Sequence, residues 1–331
     1  MARYLVQRLI YMLFLVWMVS IVTFFIIQLP PGDYLATLIT RLEQSGTDLS
    51  DEQIQNLRRE YGLDLPPYQR YFKWIGGVLR GDLGFSYEWQ RPVNQLIWER
   101  LGLTLIIATA SILFSYAVAI PIGIYSATHQ YSPGDYLFTV IGFIGLAIPN
   151  FMLALILLFF SFKYFGVNLS GLFSPQYLDA PWSFAKVVDM LKHLPIPVIV
   201  VGTGGTAGLI RVLRGTLLDE LQKQYVVTAR TKGVSERKLL FKYPVRLALN
   251  PLISDLAWLF PALISGGAIT AIVLGLPTAG PMLLRALIAQ DTFLTASILM
   301  FLTILTVIGT TVSDILLVLV DPRIRMDRGA S

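Results

Sequence analysis

The sequence predicts an all-α polytopic membrane protein with six transmembrane helices, a large external insert between helices 1 and 2, and a basic cytoplasmic loop between helices 4 and 5. Two observations carry this. Of 331 residues, 55% are hydrophobic and only 14% charged, against about 45–50% and 25% in soluble domains. The charges also gather at the ends of apolar runs, where membrane orientation accounts for a pI near 9.3 without nucleic acid.

Residues 9–29 form the first span, about 20 residues long and sufficient to cross ~30 Å of hydrocarbon. Arg3 and Arg8 precede it, and Pro30, Pro31 and Gly32 end it. The flank resembles a signal peptide, but no small-x-small cleavage site follows, so the helix is expected to be retained. By the positive-inside rule the N-terminus is cytoplasmic.

Residues 30–100 carry both charge signs and read as an external insert with helical patches at 50–61 and 67–79. Ser50 followed three residues later by Gln53 has capping-box spacing. Residues 101–127 are span two and 129–134 a short turn. Span three runs from 136 to 165 and is interrupted at Pro149-Asn150, where a mid-membrane proline frees a carbonyl; this reads either as a packing kink or as a substrate contact.

A second external loop covers residues 166–192. Span four, 194–213, contains Gly202, Gly204, Gly205 and Gly208, small residues that allow close helix approach in lipid. After the basic loop come span five (252–274), an external turn through Pro277, Gly280 and Pro281, and span six (293–320). The domains expected are therefore an N-terminal helix (1–29), the insert (30–100), a five-helix core (101–320) with its loop at 216–250, and a cytoplasmic tail (321–331). Both termini are cytoplasmic.

Several chemistries find no residues to run on. There is no cysteine, no phosphate-binding G-x-x-x-x-G-K-[ST], no metal-ligand spacing around His129 or His193, and no G-x-S-x-G. No catalytic residue, metal site or cofactor is expected in this chain. Mid-span acids are scarce, and no inverted repeat is visible, which argues against an ion-coupled secondary transporter. An intramembrane enzyme is the third class, with no motif pointing to it.

The stretch 224–251 concentrates Arg230, Lys232, Arg237, Lys238, Lys242 and Arg246 around Glu236. Residues 217–231 can form a helix, Gly233 can end it, and Ser235 can open another. A charged loop could serve topology alone. The interleaved Val226, Val227, Leu239, Leu240 and Phe241 instead suggest a docking surface that fills a partner's groove.

At TARTKGVSERKLL and RLALNP the chain resembles the integral membrane permease subunit of a type I, binding-protein-dependent ABC importer of the dipeptide/oligopeptide/nickel family. YGLDLPPYQRYFKWIGGVLRGDLGFSY, AIPNFMLALILL, SGGAIT and SDILLVLVDPRIR carry the same resemblance over nearly the whole chain. It departs from the family pattern at Val227-Thr228, where an acid and an alanine usually precede Ala229, and at residues 271–280.

The resemblance implies a coupling-helix loop at 216–250, with Tyr225, Thr228, Ala229, Arg230, Lys232, Gly233, Ser235 and Arg237 docking on an ATP-binding partner. It also implies a translocation path near Pro149, Asn150, Gly266, Gly267 and Thr270. The partners implied are a second homologous permease subunit, two ATP-binding subunits that hold ATP and Mg, an extracytoplasmic solute-binding protein, and the lipid bilayer; nucleic acid is not among them. The location implied is a bacterial or archaeal inner membrane, and the cargo a short peptide, with an oligosaccharide or nickel chelate as alternatives.

Overall fold

The computed structural model describes residues 2–46, 49–256 and 267–320, with side chains from residue 10 onward. Among the described residues four helices are long and apolar enough to span a membrane: Ile10–Ile27 within the first helix, Val93–Thr128, Pro195–Leu221 and Thr292–Val320. A fifth arises if Pro133–Ala147 and Asn150–Phe165, bent by 102°, count as one broken span. Residues 257–266 of the expected fifth span, the tail 321–331, and the side chains of Arg3 and Arg8 lie outside the described residues. Helix Thr292–Val320 matches the expected run 293–320, whereas helix Val93–Thr128 ends where the run 101–127 does but begins eight residues earlier, within the expected insert. The Ile148-Pro149 junction is a full helix break: Ile148 is extended, and Pro149 occupies the N-cap of the second helix.

The chain divides into two units. One comprises residues 1–104 and 278–305. Its insert folds as helices Tyr34–Gln44, Asp51–Glu60 and Pro67–Val78, and a two-residue hairpin pairing Phe85–Ser86 with Arg91–Pro92. The capping box at Ser50 and Gln53 is complete. Asp33 caps the Tyr34 helix by accepting from the Ala36 N–H at 2.9 Å. Tyr34, Tyr61 and Tyr87 form an aromatic cluster, with the Tyr61 and Tyr87 rings 4.5 Å apart. Phe24 of the first helix packs between Tyr71 and Trp74.

The expected turn at 277–281 is instead helix Ala279–Ile288. Gly280 and Pro281 fall in its first turn, where a missing N–H costs nothing because those donors have no intrahelical acceptor. Asp291 then opens the last long helix. Its carboxylate accepts from the Ser86 hydroxyl at 2.6 Å and from the Glu88 and Leu294 N–H groups at 3.2 and 3.4 Å.

The second unit comprises residues 105–277 and 306–331. Helix Pro195–Leu221 lies against both arms of the bent pair and against the short Pro244–Ala248 helix. A Cβ on Gly202 would stand 2.6 Å from Phe114 and one on Gly204 3.0 Å from Asn150, so these two glycines permit close approach. Gly205 and Gly208 face open space.

Candidate functional site

The basic stretch folds as three short helices: Gln224–Thr231, Glu236–Lys242 and Pro244–Ala248. The continuous helix expected over 217–231 is broken. Helix Pro195–Leu221 ends at Gln222, and Lys223 is extended before the chain turns into Gln224–Thr231. Across that break the Tyr225 hydroxyl donates to the Glu220 carboxylate.

Gly233 ends the first short helix at φ +76. Its N–H donates to the Arg230 carbonyl at 3.0 Å, and the Val234 N–H to the Ala229 carbonyl at 3.2 Å. These two bonds are a Schellman termination, which satisfies carbonyls the helix end leaves free. Ser235 does occupy the N-cap of the second helix, but its side chain makes no capping bond; its carbonyl accepts from the Leu239 N–H at 2.8 Å.

Arg230 spans the turn to Glu236 in a bidentate pair, Nε to Oε1 at 2.6 Å and Nη2 to Oε2 at 3.1 Å. That hydrogen-bonded guanidinium holds the Glu236 carboxyl below its ordinary range, and the carboxylate raises the Arg230 value in turn. Lys232 and Arg237 are exposed.

The apolar residues of the pair divide into two groups. Val226 and Leu239 are both 0% exposed, packed inside the chain, whereas Val227 and Phe241 are 44% and 55% exposed. The expectation that all five residues face a partner is therefore corrected: only the Val227 and Phe241 side is open. Burying Val226 and Leu239 on one side fixes which side of each helix remains free.

Between the pair and the following helix lies a cleft of about 560 Å³, lined by Tyr225, Thr228, Ala229, Lys232, Tyr243 and Arg246 among others. Arg246 belongs to the cationic cluster read from the sequence, although it was not among the expected docking residues; Tyr243 was not singled out. Arg246 donates to the carbonyls that end the last helix.

The loop is tied to the long helices through a buried cluster. Val245, Ala248 and Leu252 pack with Leu209, Leu213 and Leu217 of one helix and Ala119 and Ala127 of another. Polar bonds run alongside: Thr216 Oγ1 to the Ala248 carbonyl at 3.2 Å, and Ser313 Oγ to the Ile253 carbonyl at 2.6 Å. A displacement of the short helices therefore meets packed side chains on two long helices rather than a slack linker.

Of the residues expected to line a translocation path, Pro149 is exposed at the helix break and Asn150 packs against Gly204. Gly267 is the N-cap of helix Ala268–Val273, which lies against Asn150–Phe165 and buries Thr270. Gly266 lies outside the described residues. Near the start of the bent pair, buried Asp135 accepts from Arg214 at 3.1 and 2.8 Å, a pairing not foreseen from sequence. Among the described residues no group of His, Cys, Asp and Glu could hold a metal ion.

Comparison with known proteins gives a consistent result. Residues 119–326 match the family described as binding-protein-dependent transport system inner membrane component, and residues 1–108 match its N-terminal region family. The chain is 33% identical over 325 residues to oligopeptide transport system permease protein AppB of Bacillus subtilis (strain 168), covering 98% of this chain and 99% of the relative. It is 31% identical to inner membrane ABC transporter permease protein YejB of Escherichia coli O157:H7, at 98% and 99% coverage. It is 28% identical to oligopeptide transport system permease protein OppB of Mycobacterium bovis, at 98% and 100%. Among solved structures, the inward-facing MetNI methionine ABC transporter aligns with a TM-score of 0.52 at 16% identity, over 69% of this chain and 97% of that one; the likeness is one of fold.

Proposed function

The chain belongs to the binding-protein-dependent transport system inner membrane component family, and on that premise we propose that it forms one half of the translocation pathway of an ATP-driven importer of short peptides. The observation that carries the reading is the coupling loop itself. A Schellman-terminated helical pair presents Val227, Phe241 and cations outward, while Val226, Leu239, Val245 and Leu252 are packed inward.

In this reading the outward side of the pair docks on an ATP-binding subunit. ATP-driven closure of that partner displaces Gln224–Lys242. The buried cluster passes the displacement to helices Val93–Thr128 and Pro195–Leu221, because close-packed side chains transmit rather than absorb it. The Pro149 break and the Gly267–Thr270 segment are the proposed wall of the path. Hydrolysis and the associated ATP and Mg belong to the partner subunits, and a solute-binding protein delivers the cargo to the outer face.

Peptide is preferred to oligosaccharide or nickel chelate because two of the relatives named above are oligopeptide permeases. The test is uptake of labelled oligopeptides into vesicles holding the complete importer. ATP-dependent accumulation that a proton ionophore leaves intact supports the proposal. Accumulation that persists without ATP and collapses with the proton gradient overturns it, and ATP-dependent uptake of an oligosaccharide but no peptide overturns the cargo assignment.

A further inference from the structure

We propose that the groove between helices Pro133–Ala147 and Pro195–Leu221 binds one anionic phospholipid, with the headgroup phosphate at Arg211 and an acyl chain lying along Phe143 and Leu146. The register of the two helices sets the groove's direction. They run antiparallel: Asp135 pairs with Arg214, a Cβ on Gly142 would sit 3.4 Å from Ala207, and one on Gly145 would sit 3.0 Å from Thr203. The glycines let the two helices approach closely along this line, and beside it, with Gly142 and Ala207 in its lining, runs a groove of about 300 Å³.

The groove changes character along its length. At the end formed by the 129–132 turn it carries Tyr131, Arg211 and Arg214; toward the bend its wall is Phe143, Leu146 and Ala207. Such an amphipathic gradient matches a molecule with an anionic head and an apolar tail rather than a soluble anion.

The charges differ in what they have left to give. Arg214 is committed to the buried Asp135 carboxylate in a bidentate pair. Arg211 is exposed and has no acidic partner among the described residues. It stands one turn before Arg214, about 4.5 Å back along the helix toward Ala207. Exposed apolar residues flank the groove: Tyr136 is 59% and Phe143 59% exposed. A guanidinium without an acidic partner among the described residues, bordered by exposed aromatics, is complementary to a phosphate at the membrane surface, where each basic residue strengthens anionic-lipid binding by about fivefold.

The test is native mass spectrometry of the complete importer in mild detergent, titrated with phosphatidylglycerol, phosphatidylcholine of the same acyl chains, or inorganic phosphate. The expected result is retention of phosphatidylglycerol at about fivefold lower concentration than phosphatidylcholine, lost in Arg211→Gln. Arg211→Lys, which keeps the charge, should retain most of the preference.

A second readout uses the absence of native cysteine. Thr139→Cys, on the groove wall, should label with a photoactivatable phosphatidylglycerol and not with the second permease subunit. Equal retention of both lipids, an unchanged preference in Arg211→Gln, phosphate that displaces the lipid, or a cross-link from residue 139 to another subunit would each overturn the proposal.

Discussion

Arg246 donates from Nε to the carbonyl of Val320 at 2.6 Å and from Nη2 to that of Leu319 at 3.2 Å. The last carbonyls of a helix have no partner within it, and a cation there meets the negative end of the helix dipole. This one side chain thus ties the end of the last long helix to the segment that follows helices Gln224–Thr231 and Glu236–Lys242. Arg246→Met should lower the thermal midpoint, corresponding to about 1–2 kcal/mol, and raise the ATP hydrolysed per peptide imported. Arg246→Lys should recover only part of both, since an ammonium lacks the fork that reaches two carbonyls.

The second prediction concerns Gly233. A Cβ there would meet nothing within 4 Å, yet the residue holds φ +76, so substitution acts on backbone conformation alone. Asn tolerates this region better than Ala, and β-branched Val worse. Uptake should therefore fall in the order Gly, Asn, Ala, Val, with Ala costing about 1 kcal/mol in the helix termination. Gly233→Pro should fail altogether because its ring fixes φ near −65°. A ranking that follows side-chain volume instead, with Asn worse than Ala, would show that the position is limited by contact with the partner.

How much of this arrangement could be read beforehand depends on whether the determining signal was local. The capping box at Ser50, the C-terminal end of helix Val93–Thr128 and the stop at Gly233 rest on neighbouring residues, and they stand where expected. The break at Gln222 and Lys223 carries no proline or glycine; it goes with the burial of Val226, a tertiary effect, and is bridged locally by Tyr225 reaching Glu220. The 102° bend needed a proline that was visible and a packing helix that was not. Helix Ala279–Ile288 was hidden because proline and glycine in a first turn resemble a loop.

The third prediction follows from the Arg230–Glu236 pair. Glu236 has its pKa lowered by the guanidinium, so the pair's contribution is present above the unfolded carboxylate value, ~4.3, and is lost as pH falls through the lower folded value. Both side chains are solvent-exposed, so the effect on overall stability should be small and screened by salt. ATPase stimulation by peptide should fall below pH ~4.3 more in the wild type than in Glu236→Gln, whose stimulation should be weaker but flatter with pH.

The glycines of the fourth span allow a comparison within one helix. Gly202→Ala would bring a Cβ to 2.6 Å from Phe114 and 3.2 Å from the Ser111 carbonyl, while Gly205→Ala and Gly208→Ala meet nothing. The first should lower the yield and thermal midpoint of the purified chain; overpacking of this kind costs about 1–3 kcal/mol. The other two should leave both unchanged or slightly improved, since Ala is the better helix former. If Gly205→Ala destabilises only the assembled importer, another subunit packs on that side of the helix.

The last prediction concerns Ser86 and Asp291. Asp291 is 0% exposed, and burial pushes its pKa up, opposed by the Ser86 hydroxyl and the N–H groups of Glu88 and Leu294. A carboxyl whose folded pKa lies above the unfolded one favours the folded state when protonated. Stability should thus decline as pH rises from the unfolded value, ~3.9, through the raised folded value, and stay level beyond it. Asp291→Asn should abolish that slope while keeping an acceptor at the helix N-cap. Ser86→Ala removes the shortest donor and leaves the buried carboxylate less satisfied, at a cost of about 1–3 kcal/mol, and it should steepen the decline. Thermal midpoints measured from pH 4 to 7 for the three chains decide the matter: parallel curves for wild type and Asp291→Asn would mean that this carboxyl does not titrate in the folded protein over that range.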